Sequence, residues 1–99
     1  MTPKKVLLPQ PIESAALLML EEAGIEIVSS PDPSPETVKP LLGGVHGIVL
    51  RTGIKITREL LSHAGDLQIV SRTGGGLDNV DVDAATERGV VVTSNLGVN

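Results

Sequence analysis

Phenylalanine, tyrosine and tryptophan are all missing from this 99-residue chain, and so is cysteine. Without cysteine there is neither a disulfide framework nor a thiolate metal site. Without aromatics there is no platform for stacking a nucleobase. Positive charge is in deficit too: eight Lys and Arg face twelve Asp and Glu, a net charge of -4. No basic stripe gathers the cations, so nucleic acid is not an expected partner. Long hydrophobic runs are also lacking. The opening "MTPKKVLLPQP" places three apolar residues between its lysines and Pro9, too few for a signal-peptide core, and nothing approaches a membrane span. The expected setting is the cytoplasm, with no membrane partner.

What remains is a globular composition. Forty per cent of the residues are hydrophobic. The length suits one small domain with a thin core built from Val, Ile, Leu, Met and Ala. One theme recurs along the chain: a short apolar strand, a turn, a helix, a glycine, then the next strand. Lys5 to Leu8, Ile25 to Val28, Gly47 to Leu50, Leu67 to Val70 and Val90 to Val92 read as strands. Apolar residues at Ile12, Ala16, Met19, Leu20 and Ala23 mark a first helix from Ile12 to Ala23, with Pro11 in its first turn. Ser34, Thr57 and Asp81 are candidate caps for three further helices, from Pro35 to Leu42, Arg58 to Ala64 and Val82 to Arg88. Gly24 fits the left-handed cap position after the first helix, and Gly65 and Gly89 end later ones.

Strands alternating with helices predict a parallel sheet with right-handed crossovers. Nearly continuous apolar strands predict that both faces are covered. The expected fold is α/β: a flavodoxin-like, doubly wound, parallel five-stranded sheet, filling residues 1–99 as one domain. The chain stops at "SNLGVN", directly after a strand and without a covering helix. That ending predicts truncation.

Ligands of open parallel sheets bind beyond the carboxyl ends of the strands. Two of the loops expected there share a triplet, Arg51-Thr52-Gly53 and Arg72-Thr73-Gly74, and the second runs on through Gly75 and Gly76. Glycine lets successive backbone N–H groups turn toward one point, and arginine adds a forked donor. A small anionic metabolite suits such a rim. Glycine after a strand is also simply a turn residue, and that reading stays open for each loop.

Other motifs are absent. Asn79 stands where a dinucleotide fingerprint needs its third glycine, and no acidic residue follows at the required distance. Receiver-type acids and a flavin-phosphate loop are both missing after the first strand. His46 precedes a strand at the amino edge, and His63 ends a helix, so structural or solvent roles are expected for both. Neither a nucleophilic triad nor a carboxylate pair can be assembled. No catalytic residue and no metal ligand is expected in the chain.

Residues 67 to 99, "LQIVSRTGGGLDNVDVDAATERGVVVTSNLGVN", resemble the D-isomer-specific 2-hydroxyacid dehydrogenases, within that family the phosphoglycerate and hydroxypyruvate reductase group. "VLRTGIKIT", residues 49 to 57, resembles the family's other substrate loop. The resemblance implies an amino-terminal substrate-binding domain, lacking its closing helix and the cofactor domain. The parent would be an NAD- or NADP-dependent oxidoreductase, a homodimer, transferring hydride between a small 2-hydroxy acid and its 2-oxo acid.

By motif position, the backbone of Gly74, Gly75 and Gly76 would hold the substrate carboxylate. Arg51, with Thr52 and Gly53, would meet its distal end. Asp78 and Asn79 would shape the loop, and Asn99 would open the hinge to the cofactor domain. The nucleotide loop and the catalytic Arg, Glu and His would lie beyond residue 99, so this chain alone would bind no cofactor and show no turnover. One position departs: the family carries a larger apolar residue where Gly75 stands, so substrate preference does not carry over. The alternative function is a stand-alone small-anion-binding or regulatory domain without catalysis, which the lack of an acid-base pair would suit. A purely structural assembly domain is a third reading.

Overall fold

The computed structural model describes residues 3–51, 53–73 and 79–95. Five strands, β1 (Lys5–Leu8), β2 (Glu26–Ser29), β3 (Gly47–Leu50), β4 (Ile69–Thr73) and β5 (Val91–Asn95), form one sheet in the order β2-β1-β3-β4-β5. Every pair is parallel. Between them lie α1 (Ser14–Glu22), α2 (Pro35–Val38), α3 (Arg58–Ser62) and α4 (Val82–Glu87). The order is that of a flavodoxin-like α/β sheet, as the sequence pattern predicts.

The helix starts follow the capping chemistry. Ser34 Oγ accepts from Thr37 N–H at 3.4 Å, Thr57 Oγ1 from Leu60 N–H at 3.2 Å, and Asp81 Oδ1 from Ala84 N–H at 2.9 Å. Each cap satisfies an N–H that has no partner within the helix. Pro40 has no N–H to give, and beyond Val38 the chain tightens into a 3₁₀ turn, Lys39–Leu41. Gly24 and Gly89 stop α1 and α4 with φ of 79° and 73°, a region that a side chain disfavours.

Parallel register makes the core visible as a row. Val28, Leu7, Ile48, Val70 and Val92 stand side by side across all five strands. Leu7, Ile48 and Val70 in the middle are at most 2% exposed. Over this face lie Val38 of α2, Leu42 and Val45, Leu60 and Leu61 of α3, and Ala84 and Ala85 of α4. The opposite face carries the row Ile27, Val6, Gly47, Ile69, Val91. There α1 packs on the β2 side, and Val6 and Leu8 are buried. Toward the other edge Ile69 is 40% and Val91 58% exposed. Full cover on both faces, expected from the apolar strands, is thus met on one face and on half of the other.

Local departures have plain causes. The first helix starts at Ser14 and ends at Glu22, leaving Pro11, Ile12 and Ala23 outside it. Its half-buried side is Ala16, Leu17 and Leu20, while Met19 is 70% exposed. Gly65 is not in the left-handed region, unlike Gly24 and Gly89. β4 and β5 run on past their apolar residues, because Ser71, Arg72 and Thr73 pair with Thr93, Ser94 and Asn95. Ladder hydrogen bonds need backbone, not apolar side chains.

His46 fastens the amino end of the sheet. Its Nδ1 accepts from Lys5 N–H at 3.0 Å and its own N–H donates to Lys5 O at 2.8 Å. Its carbonyl accepts from Gln68 N–H at 2.8 Å, so one residue ties β1, β3 and the approach to β4 together.

Two predictions follow from the packing and from the exposed carboxylates. Ile48→Ala should cost about 2–5 kcal/mol in urea denaturation, whereas Val91→Ala should stay within about 0.5 kcal/mol. Hydrogen bonds from the Ser34 side chain and backbone, then from Thr37, hold the Asp32 carboxyl below its ordinary 3.8. Hydrogen bonding and charge from Lys39 and from Arg58 hold Glu59 and Glu87 below 4.5. In each case the unfolded chain binds protons first as pH falls. The small stability these groups give is therefore present above those ordinary values and is lost on acidification through the lowered ones. Arg58→Ala should flatten that acid limb in urea titrations across pH, with little change at neutral pH.

Candidate functional site

In the order β2-β1-β3-β4-β5, the chain leaves β1 toward β2 and leaves β3 toward β4. Their carboxyl ends therefore part in opposite directions, and a crevice opens there. Pro9-Gln10-Pro11 follows β1, and Arg51 to Gly53 follows β3. The β3 loop donates twice to the β1 loop. Gly53 N–H donates to Gln10 Oε1 at 2.8 Å, and the exposed Arg51 guanidinium donates through Nη1 to Pro11 O at 3.1 Å. The contact at Gly53 is close. A Cβ placed there would lie 2.5 Å from the Gln10 amide carbon and nitrogen. Any side chain at 53 would have to push Gln10 away.

The β4 loop is tied to the same rim from the other side. Asn79 Nδ2 donates to Arg51 O at 2.9 Å and to Ile54 O at 3.0 Å. Beside it Ile56 and Val80 form an isolated parallel bridge, with Ile56 N–H donating to Asn79 O at 2.7 Å and Asp81 N–H to Ile56 O at 2.9 Å. Beyond the last residues of β3 and β4, then, the two connections are stitched together again. Both anchors of residues 74–78, Thr73 in β4 and Asn79, lie at the carboxyl edge.

Among the residues singled out in the sequence, Arg51, Gly53 and Asn79 are thus brought together at one edge. Thr52, Gly74, Gly75, Gly76, Asp78 and Asn99 lie outside the described residues. The two Arg-Thr-Gly triplets are not equivalent in space. Leu50 pairs with Arg72, so Arg72 lies within β4 while Arg51 has already left β3. Reading Arg72 as a loop residue is corrected: β4 is longer than the apolar run that marks it. Arg72 shares its cross-strand row with Leu50, whose side chain is fully buried.

Gln10 and Pro11 are the residues that pattern reading passed over. The Pro-Gln-Pro run signals the end of a strand, and nothing in it announces a partner forty positions on. Gln10 also walls a cavity of about 150 Å³ with Leu8, Ile12, Leu17, Ser29 and Ser30. A second concavity, about 190 Å³, lies at the stitched connections between Lys55, Thr57, Asn79 and Asp81. No group of three His, Cys, Asp or Glu among the described residues is arranged to hold a metal ion. No helix among them is long and apolar enough to cross a membrane.

Fold and rim together define an open parallel α/β domain with a crevice where β1 and β3 diverge. The chain belongs to the D-isomer specific 2-hydroxyacid dehydrogenase family, whose catalytic-domain model matches residues 6–99. It is 33% identical over 96 residues to human D-3-phosphoglycerate dehydrogenase, covering 97% of this chain and 18% of that protein. A Pyrococcus horikoshii protein of solved structure is 35% identical with a TM-score of 0.86, over 95% of this chain and 28% of that one. The NAD+-bound 3-phosphoglycerate dehydrogenase of Entamoeba histolytica is 25% identical with a TM-score of 0.82, over 95% and 33%. The chain spans under a fifth of the length of the curated relative it matches.

Asn79→Ala removes two donors from the Arg51 and Ile54 carbonyls. It should cost about 1–2 kcal/mol in urea denaturation and speed hydrogen exchange at the Ile56 amide. Unchanged exchange there would mean that the bridge stands without the carboxamide.

Proposed function

We propose that this chain is the substrate-binding part of a dehydrogenase that interconverts D-2-hydroxy acids and 2-oxo acids with NAD or NADP. The observation that carries this reading is the joining of Asn79, after β4, to the Arg51 and Ile54 carbonyls after β3 at the carboxyl edge of the sheet. On this reading the amides of Gly74, Gly75 and Gly76 receive the substrate carboxylate. Arg51, beside Thr52 and Gly53, faces the distal end. Asp78 and Asn79 hold the loop, and Asn99 leads toward the part that binds the cofactor.

The nicotinamide, when bound, supplies or accepts the hydride. The residues of this chain bind and orient the acid. Neither histidine is assigned as the base for the hydroxyl proton, since His46 is engaged at the amino end of the sheet and His63 is exposed at the end of α3. The acid-base group and the nucleotide site belong to the rest of a longer, cytoplasmic, homodimeric enzyme. The Gly74–Gly76 run does not serve as that nucleotide site, because Asn79 replaces the third fingerprint glycine and its carboxamide is committed to Arg51 and Ile54.

Titration of the 99-residue chain with hydroxypyruvate should move the Gly75 and Gly76 amide resonances at millimolar concentration. With NADH added there should be no loss of NADH absorbance. Silent amides would remove the substrate-binding reading. Measurable turnover would place the catalytic groups inside these residues.

A further inference from the structure

We propose that the outward face of α1 is a self-association surface, on which a second copy of this chain packs its own α1 antiparallel about a two-fold axis. The surface uses none of the residues assigned to ligand binding above. Residues 15 to 20 read Ala-Ala-Leu-Leu-Met-Leu, apolar around the whole helix. A helix of that kind is ordinarily enclosed. Here none of the nine residues of α1 is buried. Ala16, Leu17 and Leu20 form its half-buried side, whereas Ala15, Leu18, Met19 and Glu22 are exposed, Leu18 at 53% and Met19 at 70%. Those four exposed positions follow the spacing of a single stripe along the helix. By contrast, α3 and α4 bury their leucines and alanines and leave their charged residues exposed.

The two ends of α1 identify the occupant. At the start, Glu13 makes no side-chain cap, and the first turn holds no acidic residue. The first N–H groups of a helix have no partner within it and carry the positive end of its dipole. At the finish stand Glu21 and Glu22, and the last turn holds no basic residue, so negative charge sits at the negative end. Within one chain both ends are unfavourable. An antiparallel copy makes both favourable, because each Glu22 then lies beside Ala15 and the open N–H groups of the other copy's first turn. In the same register Leu18 meets the other copy's Met19. The two Glu22 carboxylates stay about 10 Å apart along the axis, at opposite ends of the contact. The stripe is its own complement, as a two-fold interface requires.

The fold leaves room for this pairing. α2, α3 and α4 pack on the opposite face of the sheet, so among the described residues no other helix stands beside α1. Ala15 is small, which lets the backbones approach at the end where the Glu22 side chain must reach across. The contact is also short. Two helices of nine residues bury less than the roughly 1,200 Å² of a stable complex, which sets the dissociation constant on the order of 10⁻⁴ M. Ile69 and Val91 expose apolar surface as well, on the open half of the sheet. They are the competing place for a contact between copies.

The test is sedimentation equilibrium of the 99-residue chain and its variants, at concentrations up to about ten times that constant. The wild type should approach a dimer and go no further, because a two-fold contact closes on itself. Leu18→Glu should weaken association at least about tenfold, since the pairing would bury its charge. Glu22→Lys suits the end of its own helix but opposes the other copy's N-terminus, so it should weaken association about three- to tenfold. Ala15→Glu should weaken it as well, by facing Glu22. Ala15→Glu combined with Glu22→Lys should restore it, because each new acid then meets a new amine. Ile48 and Val70 resonances report in every variant that the sheet is intact. A wild type that stays monomeric overturns the proposal, and so does association that ignores Leu18→Glu. Dissociation by Val91→Glu would move the contact to the open half of the sheet and overturn it too. A double variant no tighter than Glu22→Lys alone would rule out the antiparallel pairing.

Discussion

Fastening of the loops to one another organises the carboxyl rim of this sheet, and the Asn79 carboxamide is central to it. Strand pairing ends at Leu50 in β3 and Thr73 in β4, and loops leaving a sheet have no ladder to hold them. Asn79 restores the connection by donating to two carbonyls of the β3 loop, and the Ile56–Val80 bridge closes behind it. A carboxylate there would set acceptor against acceptor. Everything argued about a ligand at this edge requires these loops to keep a fixed separation. On the far side Gln10 and Arg51 extend the same fastening to β1. The rim is thus a run of bonds from β1 through β3 to β4, side chain to backbone at Gln10, Arg51 and Asn79 and backbone to backbone at Ile56.

The fold was legible because local and global signals agree. Ser34, Thr57 and Asp81 cap the helices they precede, Gly24 and Gly89 end theirs with positive φ, and each apolar run contributes to a strand, although Ile25, Leu67, Gln68 and Val90 lie outside theirs. Strand ends were less legible. Hydropathy falls at Ser71 and Thr93, but the ladder continues, since pairing is a backbone property that side-chain polarity hides. α1 was misread in its facing. Met19 fits the helical period, yet α1 lies chiefly on β2 and leaves that side chain in solvent.

The site was legible only in part. Arg51 and Gly53 announced themselves by composition, because glycine and arginine carry recognisable chemistry. Gln10 did not. A glutamine between prolines is an ordinary turn sequence, and its importance comes from a partner 43 positions away. Likeness of sequence also misled at the second triplet. Arg72-Thr73-Gly74 repeats Arg51-Thr52-Gly53 letter for letter, but it begins one register position earlier, with Arg72 still inside β4 opposite Leu50. A shift of one residue turns a side chain to the opposite face of a sheet.

His46 holds the other end of the molecule, with Nδ1, N–H and carbonyl all bonded across strands. Nδ1 accepts from Lys5 N–H, which leaves the ring hydrogen on Nε2. Cohesion of the layer is therefore secured at the margin remote from the carboxyl-edge loops. Sequence drift in those loops can retune what is recognised without unzipping the strands beneath, so this architecture separates the freedom to acquire new chemistry from the obligation to stay folded.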